Sequence, residues 1–113
     1  MKHTLSLISL CLLTSPAVCQ EASPPHWYAD FDKAAAAAEK EGKDLLVDFT
    51  GSDWCGWCIR LDEEVFEHEA FLTPISKSYV LLKLDFPNSE EVKAKVPNPE
   101  RNAELSEKYE VAG

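Results

Sequence analysis

The chain has 113 residues and carries 20 acidic against 11 basic side chains, a formal charge of −9. That length holds one small domain, and a hydrophobic share of 45% is enough to pack a core. A balance this acidic argues against nucleic acid or an anionic membrane surface as a partner.

Met1, Lys2 and His3 make a short basic start, and residues 5–13 are apolar. Ser15 and Pro16 interrupt the run, and Ala17, Val18 and Cys19 place small residues ahead of Gln20. This pattern predicts a signal peptide over residues 1–19 and a mature protein in the periplasm or outside the cell. The apolar run is too short to span a bilayer comfortably. Two other readings exist. Cys19 as a lipidated residue is disfavoured by Val18 directly before it. A buried N-terminal helix is disfavoured because basic start, apolar middle and small-residue end all agree.

Residues 20–26 are polar, contain Pro24 and Pro25, and read as a linker. The folded domain is expected over residues 27–113. Asp30 can cap a helix running to Glu41, in which Phe31, Ala34, Ala35 and Ala38 recur at helical spacing and Gly42 is the stop signal. Residues 45–50 are apolar almost throughout, as in strands of parallel sheets buried on both faces. Asp48 is the exception. Either the strand frays and Asp48 is solvated, or Asp48 is a buried proton acceptor for a neighbouring site.

Residues 50–53 form a turn. A helix is expected over residues 55–67, with Cys58, Leu61 and Val65 on one face. Phe71, Pro74 and Ile75 mark a second, irregular helical segment. Residues 79–86 are the next strand, which makes strand, helix and strand a right-handed parallel unit. Residues 87–97 read as a polar loop. Asn98 and Pro99 can open a last helix with Leu105 and Tyr109 on its apolar edge. Two strands are too few for a sheet that stands alone.

Removal of the leader leaves Cys55 and Cys58. Cys55 falls at a helix start, where free backbone N–H groups favour an anion and a thiol loses its proton more easily. Cys58 lies one turn along on the same side. The pair suits a disulfide that opens and closes, and an exported chain with one close pair looks like a redox site rather than a stapled scaffold. A metal site with His68 and His26 as further ligands is a second reading. An inert structural bridge is a third, although it closes too short a loop to constrain the unfolded chain much. Ile59 after the second cysteine excludes haem attachment. Trp54 reads as a partner contact and Trp57 as contact or core. Asp53 reads as a helix cap and Arg60 as a solvated side chain.

In Val47-Asp48-Phe49, Trp54-Cys55-Gly56-Trp57-Cys58, residues 81–86 and residues 105–113, the chain resembles the thioredoxin superfamily. It is most similar to exported bacterial thioredoxin-like proteins with a Gly-Ser-Asp-Trp-Cys-Gly-Trp-Cys stretch. The resemblance implies an α/β thioredoxin-like fold, present here as an N-terminal helix and a βαβα portion. The family's cis-proline loop, antiparallel strands and last helix would follow Gly113, so the domain is expected to be C-terminally truncated. The resemblance also implies a redox-active Cys55–Cys58 disulfide, with Cys55 as the exposed nucleophile and Cys58 as the buried resolving thiol. Asp48 would be the acid beneath the site, and Trp54, Gly56 and Trp57 would meet the substrate. It implies exchange with protein thiols and disulfides, a recycling partner, no organic cofactor, no metal, no membrane span in the mature chain and a monomer. The alternatives are a non-catalytic binding or zinc- or copper-binding module, or an inactive fragment. The family has proline where this chain has Trp57, so the reduction potential does not carry over; about 30 mV corresponds to roughly 1.4 kcal/mol for a two-electron couple.

Overall fold

The computed structural model describes residues 25–112; the leader and lipidation readings at residues 1–19 lie outside the described residues. The elements are β1 (Trp27–Tyr28), α1 (Phe31–Glu41), β2 (Asp44–Thr50) and α2 (Gly56–Leu61), which runs on into a π-helical turn (Asp62–Phe66). Then follow α3 (Glu69–Ile75), β3 (Tyr79–Asp85), α4 (Glu90–Lys93) and α5 (Pro99–Lys108).

Both expected ends of α1 are present. An Asp30 carboxylate oxygen accepts the Lys33 N–H at 3.0 Å. Gly42 takes the left-handed conformation at φ 63° and donates to the Ala38 and Glu39 carbonyls, a backbone state that glycine reaches without Cβ strain.

The three strands are parallel, in the order β1-β3-β2. The sequence reading did not contain β1, because two residues are too few to display a period. β1 supplies one of the neighbours that the two longer strands lacked. β3 lies in the centre, with Val80, Leu81, Leu82 and Leu84 buried. β2 was expected to be buried on both faces, yet Leu45 to Phe49 are only half-buried. The reason is its place at the edge: among the described residues β2 pairs on one side alone.

The register divides the sheet into two faces. Leu45, Val47 and Phe49 stand beside Val80, Leu82 and Leu84. This face packs against Ala34 and Ala38 of α1 and Leu105 of α5, which form the core. The alanine face lets α1 approach the sheet closely. On the other face, Leu46 and Asp48 stand beside Leu81 and Lys83, and Trp27 is the partner of Leu81. An aromatic cluster covers this side: the Trp27 and Phe66 rings are 5.0 Å apart, and Phe66 and Phe71 are 5.1 Å apart. The Trp27 indole N–H also donates to the Phe66 carbonyl at 3.2 Å.

Three further expectations change. The single helix over residues 55–67 is α2 plus the π-helical turn, and Leu61 is turned out, 43% exposed. The loop over residues 87–97 contains α4, whose first turn is capped by Ser89 Oγ accepting the Val92 N–H at 3.3 Å. Asn98 stands at the start of α5 but at φ 58°, with no side-chain capping bond, and Pro99 alone fulfils the expected start. At the other end of α5 only Leu105 is buried; Tyr109 is 57% exposed. Among the described residues no helix is long and apolar enough to cross a membrane.

Candidate active site

The last sheet contact is the Phe86 N–H donating to the Thr50 carbonyl at 2.8 Å. Beyond it the two chains diverge, and the segment between β2 and α2 is tied down. The Gly51 carbonyl accepts N–H groups from Trp54 at 3.3 Å and Cys55 at 2.9 Å, closing a tight turn. Asp85 accepts the backbone N–H of Ser52 at 2.9 Å and also its hydroxyl. The Trp54 indole N–H donates to the Phe86 carbonyl at 2.7 Å. The Asp53 carboxylate accepts the N–H groups of Asn88 at 2.9 Å and Ser89 at 2.8 Å.

Asp53 was expected to cap the following helix. It instead latches the loop after β3 to the loop before α2, and those backbone donors hold its carboxyl below the usual range. This latch could not be read from the sequence, because its partners lie more than thirty residues away.

Gly51 leaves the room that the Trp54 indole occupies. A Cβ there would stand 2.4 Å from Trp54 Cε2 and 2.5 Å from Nε1, so the indole lies directly over the glycine. Gly51→Ala is therefore expected to push the indole off and break its bond to Phe86. A cost of about 1–3 kcal/mol should follow, read as a lower midpoint of thermal unfolding.

Cys55 is the N-cap of α2, as its position after the turn predicted. It is joined to Cys58 by a disulfide with a Cα–Cα separation of 5.2 Å. The Cys58 N–H also points at Cys55 Sγ, 3.3 Å away. In the reduced state that donor favours a thiolate on Cys55. The expected contrast of an exposed first and a buried second cysteine is absent: both are half-buried. The helix-start position and the Cys58 N–H distinguish them instead.

Trp54 is 47% exposed and Trp57 78% exposed, so Trp57 is a surface residue and not part of the core. The Arg60 guanidinium stands 5.8 Å from the Trp57 ring centroid and pairs with Glu64 at 2.7 Å in solvent. Gly56 opens α2, and a Cβ there would meet nothing within 4 Å. The cysteines thus emerge on an open surface flanked by two indoles.

Asp48 lies on the sheet face covered by the aromatic cluster, beside Lys83. Burial pushes its carboxyl above the ordinary range; Lys83 pulls it down, and Asp62 and Asp85 push it up. The fully solvated reading of Asp48 is therefore set aside. Sequence reasoning missed Asp62, whose carboxylate holds Lys83 at 2.5 Å. The available signal was its spacing, four residues after Cys58.

The histidines do not join the cysteines. His68 Nε2 is 2.8 Å from the Glu63 carbonyl, and the His26 ring packs on Tyr28. Among the described residues, no three His, Cys, Asp or Glu side chains converge into a metal-holding group.

A family model described as thioredoxin-like matches residues 26–109. The chain belongs to the thioredoxin-like family. Its three parallel strands and flanking helices are the mixed α/β arrangement expected of that family. A solved structure titled DsbH oxidoreductase superposes with a TM-score of 0.62 at 27% identity, covering 96% of this chain and 70% of the other.

Two Chlamydia pneumoniae proteins are similar to this thioredoxin-like chain. Disulfide bond reductase DsbH is 28% identical over 88 residues, which cover 76% of this chain and 51% of the relative. Thioredoxin-related protein DsbJ is 30% identical over 81 residues, which cover 71% of this chain and 23% of the relative. The chain thus spans about half the length of the first and less than a quarter of the second.

Proposed function

We propose that this thioredoxin-like chain is a thiol–disulfide oxidoreductase that acts on protein disulfides outside the cytoplasm. One observation carries the reading: a closable cysteine pair at a helix start, held on an open surface by a latched turn. The roles assigned are Cys55 as nucleophile, Cys58 as resolving thiol and Asp48 as proton acceptor. Trp54, Gly56 and Trp57 form the surface that the substrate meets, Gly56 by leaving room for another backbone over the disulfide.

The steps balance without a cofactor. The Cys55 thiolate attacks one sulfur of a partner disulfide, and the other partner sulfur leaves as a thiolate. Cys58 gives up its proton and attacks Cys55 Sγ. The mixed disulfide breaks, and the second partner sulfur departs. Two electrons pass to the partner, and Cys55–Cys58 is left oxidised.

Reduction of the substrate is the proposed direction, supported by the name of the relative DsbH, a disulfide bond reductase. A separate redox partner would then restore the dithiol. Export rests on the leader pattern of residues 1–19, which would leave a mature domain from about residue 27 onward. The proposed unit is a monomer.

The test is thiol trapping across glutathione redox buffers, read by mass spectrometry. A single reversible transition between dithiol and Cys55–Cys58 disulfide is expected. Mixed glutathione adducts on both cysteines with no intramolecular bridge would reject the reading.

A further inference from the structure

The helical run after Cys58 changes pitch at the point where it passes over the sheet. Asp62 N–H still donates to the Cys58 carbonyl, but the Glu67 N–H reaches back five residues to the Asp62 carbonyl at 3.1 Å. Such π-type widening is rare and concentrates at functional sites. Here it accompanies an inversion of the expected pattern. The apolar Leu61 faces out, while the Asp62 side chain is only 21% exposed.

Asp62 meets a cation there. Lys83 Nζ lies 2.5 Å from Asp62 Oδ1 and 5.0 Å from the centroid of the Trp27 ring. Lys83 is also the cross-strand partner of Asp48, on the same face of the sheet. Among the described residues its ion pair is nevertheless with Asp62 and not with Asp48. The charged groups acting on Asp48 are Lys83 and Asp85 from β3 and Asp62 from the π-helical turn; β1 contributes the uncharged Trp27.

We propose that Asp62 is a positioning residue for the proton step: it holds the Lys83 ammonium against the Trp27 ring, so that Asp48 keeps the capacity to take the proton of Cys58. The inference rests on the oxidoreductase reading given above. A carboxylate in a direct pair with lysine is a weak base, held ionised by its partner. A half-buried carboxylate whose cation is engaged elsewhere binds a proton more readily. In the step concerned, the Cys58 S–H proton passes to Asp48 and the Cys58 thiolate attacks Cys55 Sγ. The bond from Cys55 to the partner sulfur breaks, and the partner leaves as a thiolate that takes a proton from solvent.

The experiment isolates that step. The reduced mature chain, residues 20–113, in which Cys55 and Cys58 are the two cysteines, is mixed with Ellman's reagent; Cys55 takes one thionitrobenzoate group and Cys58 expels it. The second release is followed by stopped-flow absorbance as a function of pH. In the wild type the rate is expected to rise with pH through an acid limb that Asp48→Asn abolishes. In Asp62→Asn, Lys83 turns to Asp48. The limb should then move down by about one pH unit and the plateau rate should fall about threefold. Lys83→Met should move the limb the opposite way. A structural role for Asp62 would not produce opposite shifts in the two variants.

Asp62→Ser provides the same comparison if the asparagine variant unfolds, with thermal unfolding checked for each. A limb in the Asp62 variants that coincides with wild type, or shifts of one sign in Asp62 and Lys83 variants, overturns the role of Asp62 alone. No second release in the wild type, or an acid limb that survives Asp48→Asn, overturns the underlying reading as well.

Discussion

Replacing Cys55 by serine is expected to cut insulin reduction by a factor on the order of a thousand or more, down to the uncatalysed background. The alcohol that replaces the thiol is not ionised at neutral pH, so no nucleophile remains at the helix start. Cys58→Ser should act differently. Cys55 still accepts the Cys58-position N–H and still attacks, but nothing displaces the partner. A one-to-one mixed disulfide should accumulate on Cys55, visible as a mass adduct that a reductant removes. The two variants separate the roles by product and not only by rate. Turnover that survives in Cys55→Ser would sink the assignment, as would an adduct that forms on Cys58.

The second large effect is on stability. Leu82 is 0% exposed at the centre of β3, between Val47 of β2 and Tyr28 of β1 in register. It faces the alanines of α1 and belongs to the core with Val80, Leu84 and Leu105. Truncation to alanine removes buried methyl groups and leaves a cavity that the parallel ladders on both sides prevent from collapsing. A loss of about 3 kcal/mol is expected. That is a large part of the roughly 5–15 kcal/mol that small domains possess, and it should lower the thermal midpoint by roughly 10–20 °C. Leu61→Ala, at a position 43% exposed, is the control and should stay within about 0.5 kcal/mol. Equal losses from the two substitutions would mean that the core is not where the sheet register places it.

The order of stability and chemistry along the chain follows from one division. The face of the sheet toward α1 and α5 is aliphatic and carries the core. The face under the π-helical turn carries Asp48, Lys83 and the aromatic cluster. Strand alternation allows one short strand, β2, to serve both: Val47 and Phe49 point to the core, and Asp48 between them points to the opposite face, beside Lys83.

The sequence by itself determined the elements whose causes are local. The cap at Asp30, the stop at Gly42, the two long strands and the placement of Cys55 at a helix start all depend on neighbours within a few residues, and each is present. It also placed the two cysteines within reach of one another but left a disulfide and a metal site both open; in the structure the pair is closed as a disulfide. What only the tertiary structure decided depends on residues far apart in the chain. Two-residue β1 exists because β3 offers it an edge. Asp53 braces a distant loop rather than its own helix because the Asn88 and Ser89 N–H groups are brought within reach. Asp62 is drawn inward, and Leu61 left outside, because Lys83 waits on the sheet beneath and helical spacing alone cannot announce a π-turn. Local propensity is written in adjacent residues, whereas the pairing of charges across the sheet is settled only when the strands take their register.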